Sequence, residues 1–85
     1  MNHSPTTIIT QLRQVISEEL IPLDPSVSDD CDLYQEGLDS LALMQLIILL
    51  ESHFGVTVES TDLAKENFKS LKAITELITL KSQDA

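Results

Sequence analysis

Cysteine pairs, long apolar runs and basic residues are missing or scarce in this sequence of 85 residues. Cys31 is the single cysteine, so no internal disulfide can form, as is usual in a reducing compartment. The apolar runs are too short for a membrane-spanning helix, which takes about 20 residues. The first residues contain no basic segment followed by an apolar stretch, so we predict no secretory signal. Together these absences predict a soluble, cytoplasmic protein.

The few basic residues are unevenly distributed. Five lysines and arginines stand against 14 acidic residues, which gives a formal charge of −9. No lysine or arginine occurs between Arg13 and Lys65, whereas most acidic residues fall in that interval. Such a negative field repels nucleic acid and anionic lipid and favours partners with basic docking surfaces. Acidity that only keeps a small protein soluble is the alternative, and charge alone leaves both open.

The chain is long enough for one small domain, and the spacing of its apolar residues predicts helices. The first helix is predicted over residues 5–20, with Ser4 as its cap and Pro5 at the first helical position. A second helix is predicted over residues 40–54, ended by Gly55 in a left-handed conformation. No sheet is expected, so the predicted class is all-α.

The rest of the chain is predicted as connections and a last helix. Residues 21–38 are mostly polar and acidic, which predicts one long ordered loop. A brief helical turn is expected near residues 61–63. Ser70 is the predicted cap of a third helix that ends near residue 80, and residues 81–85 are predicted to fray. We thus expect residues 1–85 to form one domain with three main helices, one short helix and a long first loop.

Apolar residues at helical spacing define the predicted core. In the long loop, a few apolar residues are expected to fix the chain to that core, and Phe68 is expected to pack against the last helix. The predicted core residues are Ile8, Ile9, Leu12, Val15, Ile16, Leu20, Val27, Leu33, Tyr34, Leu38, Leu43, Leu46, Ile47, Leu50, Phe54, Phe68, Leu71, Ile74, Leu77 and Ile78.

The second helix is apolar on two sides, which is unusual for a small domain. Besides its core face, it carries Leu41, Met44 and Ile48 at the spacing i, i+3 and i+7 on the far side. Either another element covers these three residues, or they form an exposed strip of the kind that docks partner proteins. The sequence leaves both possibilities open.

Residues 37–41, Gly-Leu-Asp-Ser-Leu, lie between the acidic loop and this helix. Gly37 can adopt a positive φ and turn the chain, and Asp39 can cap the helix. The hydroxyl of Ser40 is then expected to face solvent in the first turn. We therefore predict that function is centred on Ser40.

From about residue 32 to residue 78, this order of features resembles the acyl and peptidyl (aminoacyl) carrier proteins of the phosphopantetheine-binding, free-standing type. The resemblance implies an acyl-carrier-protein-like helical bundle. It also implies that Ser40 bears a 4'-phosphopantetheine arm, supplied by coenzyme A, as a phosphodiester. Asp39 would then have a second role as a magnesium contact during attachment. The implied partner-docking residues are Leu41, Met44, Ile48 and Glu51.

A carrier of this kind is not an enzyme. The resemblance implies a monomer that receives its arm from a phosphopantetheinyl transferase and an acyl or aminoacyl thioester from an adenylating loading enzyme, and then delivers the cargo to synthases or transferases. Primary fatty-acid carriers are acidic along the second helix, whereas this helix is mostly uncharged, so we expect docking by apolar fit. This favours a specialised-metabolite pathway of polyketide or nonribosomal peptide type. The alternatives are a fatty-acid carrier and, from another class, a small acidic inhibitor of a basic protein.

Catalytic and metal sites find little support in the sequence. His3 and His53 are the only histidines, and His53 lies about 20 Å from Ser40 along the helix, so no hydrolase triad is predicted. A pattern similar to a calcium-binding loop is formed by Asp30, Asp32 and Glu36. Two of its other ligand positions are occupied by Tyr34 and Leu41, so we expect no metal. We expect Cys31 to be partly buried and inert and His53 to lie on the surface.

Overall fold

The computed structural model describes residues 5–24 and 26–83, and over those residues every regular element is helical. The main helices are α1 (Pro5–Glu19), α2 (Ser40–Phe54) and α3 (Leu71–Gln83). Three short 3₁₀ helices span Leu33–Glu36, Ser60–Asp62 and Lys65–Phe68. The predicted all-α bundle is therefore confirmed. The predicted cap Ser4 lies outside the described residues.

One apolar core joins the three main helices, and α1 packs along α3. Its centre consists of side chains that are essentially inaccessible to solvent, and Phe68 is the largest of them. Five of the core residues predicted for the first two helices are only partly buried. Ile9, Val15, Leu43 and Ile47 lie at the edges of their helix faces, and Leu20 follows the end of α1. The fully enclosed side chains are Ile8, Leu12, Ile16, Leu33, Leu46, Leu50, Phe68, Leu71, Ile74 and Ile78.

Helix α1 ends at Glu19, one residue before the predicted end. The backbone N–H groups of Leu20 and Ile21 both donate to the carbonyl of Ile16, at 3.0 and 2.9 Å. These bonds close the last turn just before Pro22, which cannot donate a backbone hydrogen bond. Ile21 then enters the core, a position that the helical spacing did not reveal.

The long loop after α1 is held at several points. Arg13 donates to the carbonyl of Val27 at 2.7 Å and to Oδ1 of Asp29 at 2.8 Å. The N–H of Leu33 donates to the carbonyl of Lys69 at 2.7 Å. Leu33 and Leu38 are buried as predicted, Val27 and Tyr34 are partly buried, and Leu23 is an additional buried residue. The loop is therefore ordered by contacts with both α1 and the segment before α3.

The connection from α2 to α3 contains two short helices where the sequence predicted one. The second of them, Lys65–Phe68, brings Phe68 into the core. Helix α3 also continues to Gln83, three residues beyond the predicted end. Lys81, in its last turn, forms ion pairs with Asp62 and with Glu59, the latter at 3.3 Å. These pairs between distant segments explain why a local pattern placed the helix end too early.

Candidate functional site at the start of α2

The N-terminus of α2 is built by two residues of the preceding turn. Gly37 has φ 115°, a left-handed conformation that side-chain-bearing residues rarely adopt. Asp39 is the N-cap, and its Oδ1 accepts a hydrogen bond from the N–H of Ala42 at 2.8 Å. Helix α2 therefore begins at Ser40 and ends at Phe54, the predicted bounds, and Gly55 terminates it with φ 68°.

Ser40 is exposed in the first turn of α2. The Asp39 cap satisfies the N–H of Ala42, whereas the N–H groups of Ser40 and Leu41 have no acceptor within the helix. Such N–H groups, together with the positive end of the helix dipole, favour an anion at this position. A phosphodiester on the Ser40 hydroxyl therefore fits both the space and the electrostatics of the site.

Three apolar side chains extend from this site along the solvent side of α2. Leu41, Met44 and Ile48 are 67%, 65% and 63% exposed, and we call them the apolar stripe. No element of the described chain covers them, so the structure decides for the exposed strip between the two alternatives left by the sequence. The stripe begins one residue after Ser40, so the two form one continuous exposed surface.

Residues 10–78 of the chain match the family model described as a phosphopantetheine attachment site. The chain belongs to the phosphopantetheine-binding carrier protein family. Its members carry a covalent 4'-phosphopantetheine arm, whose terminal thiol holds the cargo as a thioester. This carrier protein is similar to the aminoacyl carrier protein of Agrobacterium fabrum, with 36% identity over 69% of the chain and 70% of the relative.

Two further similarities concern aminoacyl-type carriers. The D-alanyl carrier protein of Streptococcus mutans is 37% identical over 75% of the chain and 82% of the relative. Among solved structures, one match is a chain in the crystal structure of an engineered Bradyrhizobium japonicum glycine:[carrier protein] ligase complexed with carrier protein from Agrobacterium tumefaciens and ATP. Its TM-score is 0.76, with 28% identity, and the match covers 86% of this chain and 97% of that one.

Glu51, a predicted docking residue, has a structural contact in this carrier protein. Its Oε2 accepts a hydrogen bond from the N–H of Val58 at 3.0 Å. This contact holds the segment after Gly55 against the end of α2. No local pattern in the sequence indicates this hydrogen bond, because the two residues are joined across a change of chain direction. Glu51 remains exposed, so the contact does not remove it from the surface.

Other polar candidates lie apart from this site. Cys31 is partly buried, as predicted, and its thiol donates to Oε2 of Glu36 at 3.7 Å. Partial burial and the Glu36 carboxylate raise the pKa of the Cys31 thiol, which disfavours the reactive thiolate. His53 is on the surface, with Nε2 3.5 Å from Oε2 of Glu19. In residues 5–24 and 26–83, no three His, Cys, Asp or Glu side chains are grouped closely enough to hold a metal ion.

A separate cleft of about 500 Å³ opens between α1 and α3. Ile9 and Leu80 form part of its apolar wall, and the charged residues Lys72 and Glu76 also line it. Its described lining residues include none from α2 or from the turn before Ser40. The predicted site residues are therefore not in this cleft. No helix in the described part of the chain has the length and apolar content needed to cross a membrane.

Proposed function

We infer that the arm is attached to Ser40 and that this carrier protein transports an aminoacyl or acyl thioester in the cytoplasm without catalysing a reaction itself. The single observation that supports this assignment is the exposed Ser40 hydroxyl at the N-terminus of α2, with Asp39 capping the helix beside it. The cap uses the N–H of Ala42 and leaves the serine side chain accessible to an incoming enzyme.

The residues around Ser40 support attachment by an outside enzyme. The only described histidine, His53, lies in the last turn of α2, so the base that removes the serine proton comes from the transferase. Once the phosphodiester has formed, the first N–H groups and the dipole of α2 stabilise its negative charge. Oδ1 of Asp39 is used by the cap, and Oδ2 is the atom that would contact magnesium during attachment.

The apolar stripe supports docking of the partner enzymes. Leu41, Met44 and Ile48 would contact the transferase, the loading enzyme and the downstream synthases in turn, because each must approach the same Ser40. The arm acts as a flexible tether that raises the local concentration of the cargo at each docked enzyme, so binding can be weak. Glu51 would lie at the polar border of this surface.

The comparisons support an amino acid as cargo. Relatives named aminoacyl and D-alanyl carrier proteins, and a structural neighbour in complex with a glycine ligase, favour loading by an ATP-dependent adenylating enzyme. The small number of charges on α2 favours a dedicated pathway of specialised metabolism over bulk fatty-acid synthesis. A fatty-acid carrier is the alternative within the family.

Intact mass spectrometry tests the attachment site. Incubation with coenzyme A and a broad-specificity phosphopantetheinyl transferase should add about 340 Da to the wild-type protein. Ser40→Ala should abolish the gain, whereas Ser52→Ala, a matched change of an exposed serine on the same helix, should retain it. No gain by the wild-type protein, or a gain by Ser40→Ala, would contradict the assignment. A further mass increase with ATP, an amino acid and an adenylating ligase would identify aminoacyl cargo, and one with acyl-loading enzymes alone would favour the fatty-acid alternative.

A further inference from the structure

A shallow depression borders the apolar stripe at its far end from Ser40. It has a volume of about 250 Å³ and is lined by Glu19, Gln45, Ile48 and Leu49. Ile48 belongs to the stripe, so the depression is continuous with the proposed docking surface. Glu19 is the last residue of α1, which means that two helices form the depression.

The floor and the border of this depression differ in chemistry. Ile48 and Leu49 supply apolar surface, whereas Glu19 supplies a carboxylate whose side chain is 52% exposed. The Gln45 amide, also exposed, adds a carbonyl that can accept a hydrogen bond. A ligand that suits the apolar surface, the carboxylate and the amide carbonyl has an aliphatic stem and a cationic, hydrogen-bond-donating end.

The charge at Glu19 lacks a lysine or arginine partner in the described structure. The group near its carboxylate is His53, at 3.5 Å, which forms an ion pair only when it is protonated. Glu18 is the neighbouring acid along the chain, and Arg13 is held by Val27 and Asp29. The depression therefore has a net negative border that favours a cation from a partner.

We propose that this depression receives an arginine side chain of the loading enzyme when that enzyme docks on the apolar stripe. The methylene stem of the arginine packs on Ile48 and Leu49, and the guanidinium donates to the Glu19 carboxylate. Arginine suits the position better than lysine because its planar guanidinium pairs with a carboxylate through two hydrogen bonds and is less strongly hydrated. The identity of the partner rests on the proposed function, whereas the chemistry of the depression does not.

An NMR titration with n-butylguanidinium tests the depression by itself. The probe should shift the signals of Glu19, Gln45, Ile48 and Leu49 in the wild-type protein and saturate at about 10–50 mM, the range for so small a ligand. Glu19→Gln should weaken the response at least about threefold. Glu18→Gln removes the same charge from the adjacent exposed residue and should leave it unchanged. Shifts spread over all acidic residues, or an equal response in both variants, would overturn the proposal.

The loading reaction tests the same residue in the complex. With an adenylating enzyme that loads the wild-type holo-protein, Glu19→Gln should raise KM for the carrier at least about threefold with kcat unchanged, because docking and not chemistry is affected. Glu18→Gln should match the wild type, and an unchanged KM for Glu19→Gln would overturn the proposal. Failure of the proposed function is seen separately, since a wild-type protein that gains no arm fails the mass measurement whatever n-butylguanidinium does.

Discussion

The two sides of α2 are similar in composition and opposite in environment. Leu46 and Leu50 are 0% and 1% exposed, whereas Leu41 and Met44, on the other side, are about two-thirds exposed. The predicted core side is buried, but hydrophobicity alone therefore did not bury the other side. The side that faces α1, α3 and the long loop is buried because those elements supply complementary apolar surface. The other side remains exposed and begins one residue after Ser40.

The largest expected effect is on the free energy of unfolding, which should respond differently to substitutions on the two sides of α2. Leu46→Ala should lower the free energy of unfolding by about 2–5 kcal/mol, because it leaves a cavity in the core. Met44→Ala, on the exposed side, should change it by less than about 0.5 kcal/mol. Urea unfolding followed by circular dichroism measures both. Equal losses would show that the apolar stripe is part of the core and that the two sides of α2 do not differ in burial.

Next in size is the effect of charge on the stripe. Met44→Glu and Ile48→Glu should keep the helical circular dichroism of the wild type but slow attachment of the arm or loading about tenfold, or about 1.4 kcal/mol, because a charge disrupts apolar docking. Gln11→Glu adds the same charge at an exposed position on α1 and serves as the control. Normal rates in both stripe variants would assign docking to another surface.

A smaller effect is expected at Asp39, a polar residue with a structural role. Asp39→Ala should cost about 1 kcal/mol, because the N–H of Ala42 loses its acceptor. Asp39→Asn should retain the cap and most of this stability. If Asp39 also contacts magnesium, Asp39→Asn should still slow attachment of the arm, measured by mass spectrometry at limiting magnesium. Wild-type rates in Asp39→Asn would limit Asp39 to the cap.

The smallest effect concerns the ion pair that holds the end of α3. The hydrogen bond from Lys81 lowers the pKa of Asp62, so its contribution to stability is present above the unfolded pKa, about 3.9, and is lost as pH falls through the lower folded value. The same bond raises the pKa of Lys81, so that contribution is present below the ordinary lysine pKa and is lost only as pH rises through the raised value.

Thermal unfolding across pH measures this pair. Asp62→Asn should lower Tm between about pH 5 and 9, and its difference from the wild type should shrink below about pH 4. Glu66→Gln, a change of an exposed acid in the same connection, is the matched control and should have a smaller effect at neutral pH. A Tm difference for Asp62→Asn that persists at low pH would mean that the charge of Asp62 is not the cause.

Local signals in the sequence were sufficient to predict α2 and both of its ends. Asp39 and Gly55 act within a few residues of the helix they bound, so their roles follow from cap and turn chemistry alone. The same is true of Ser40, whose position in the first turn depends only on where the cap is. The family resemblance, carried by these residues, led to the carrier class that the family match shows.

Contacts between distant segments were not predictable in this way. Ile21 and Leu23 flank Pro22, where no helical spacing indicates burial, and Ala42 is too small to stand out in an apolar pattern. The last turn of α3 depends on Lys81 reaching Asp62, and the bond from Val58 to Glu51 crosses the end of α2. Each of these features depends on the position of a second segment.

The sequence by itself determined where α2 begins, which serine is its first residue and which residues could form two apolar faces, because caps and helical spacing act over one or two turns. Only the tertiary structure decided whether the second face is covered as well, since burial requires complementary surface, and α1, α3 and the loop supply it to the predicted core face alone. It also brought Glu19 of α1 beside Ile48 of α2, a neighbourhood that no local pattern contains.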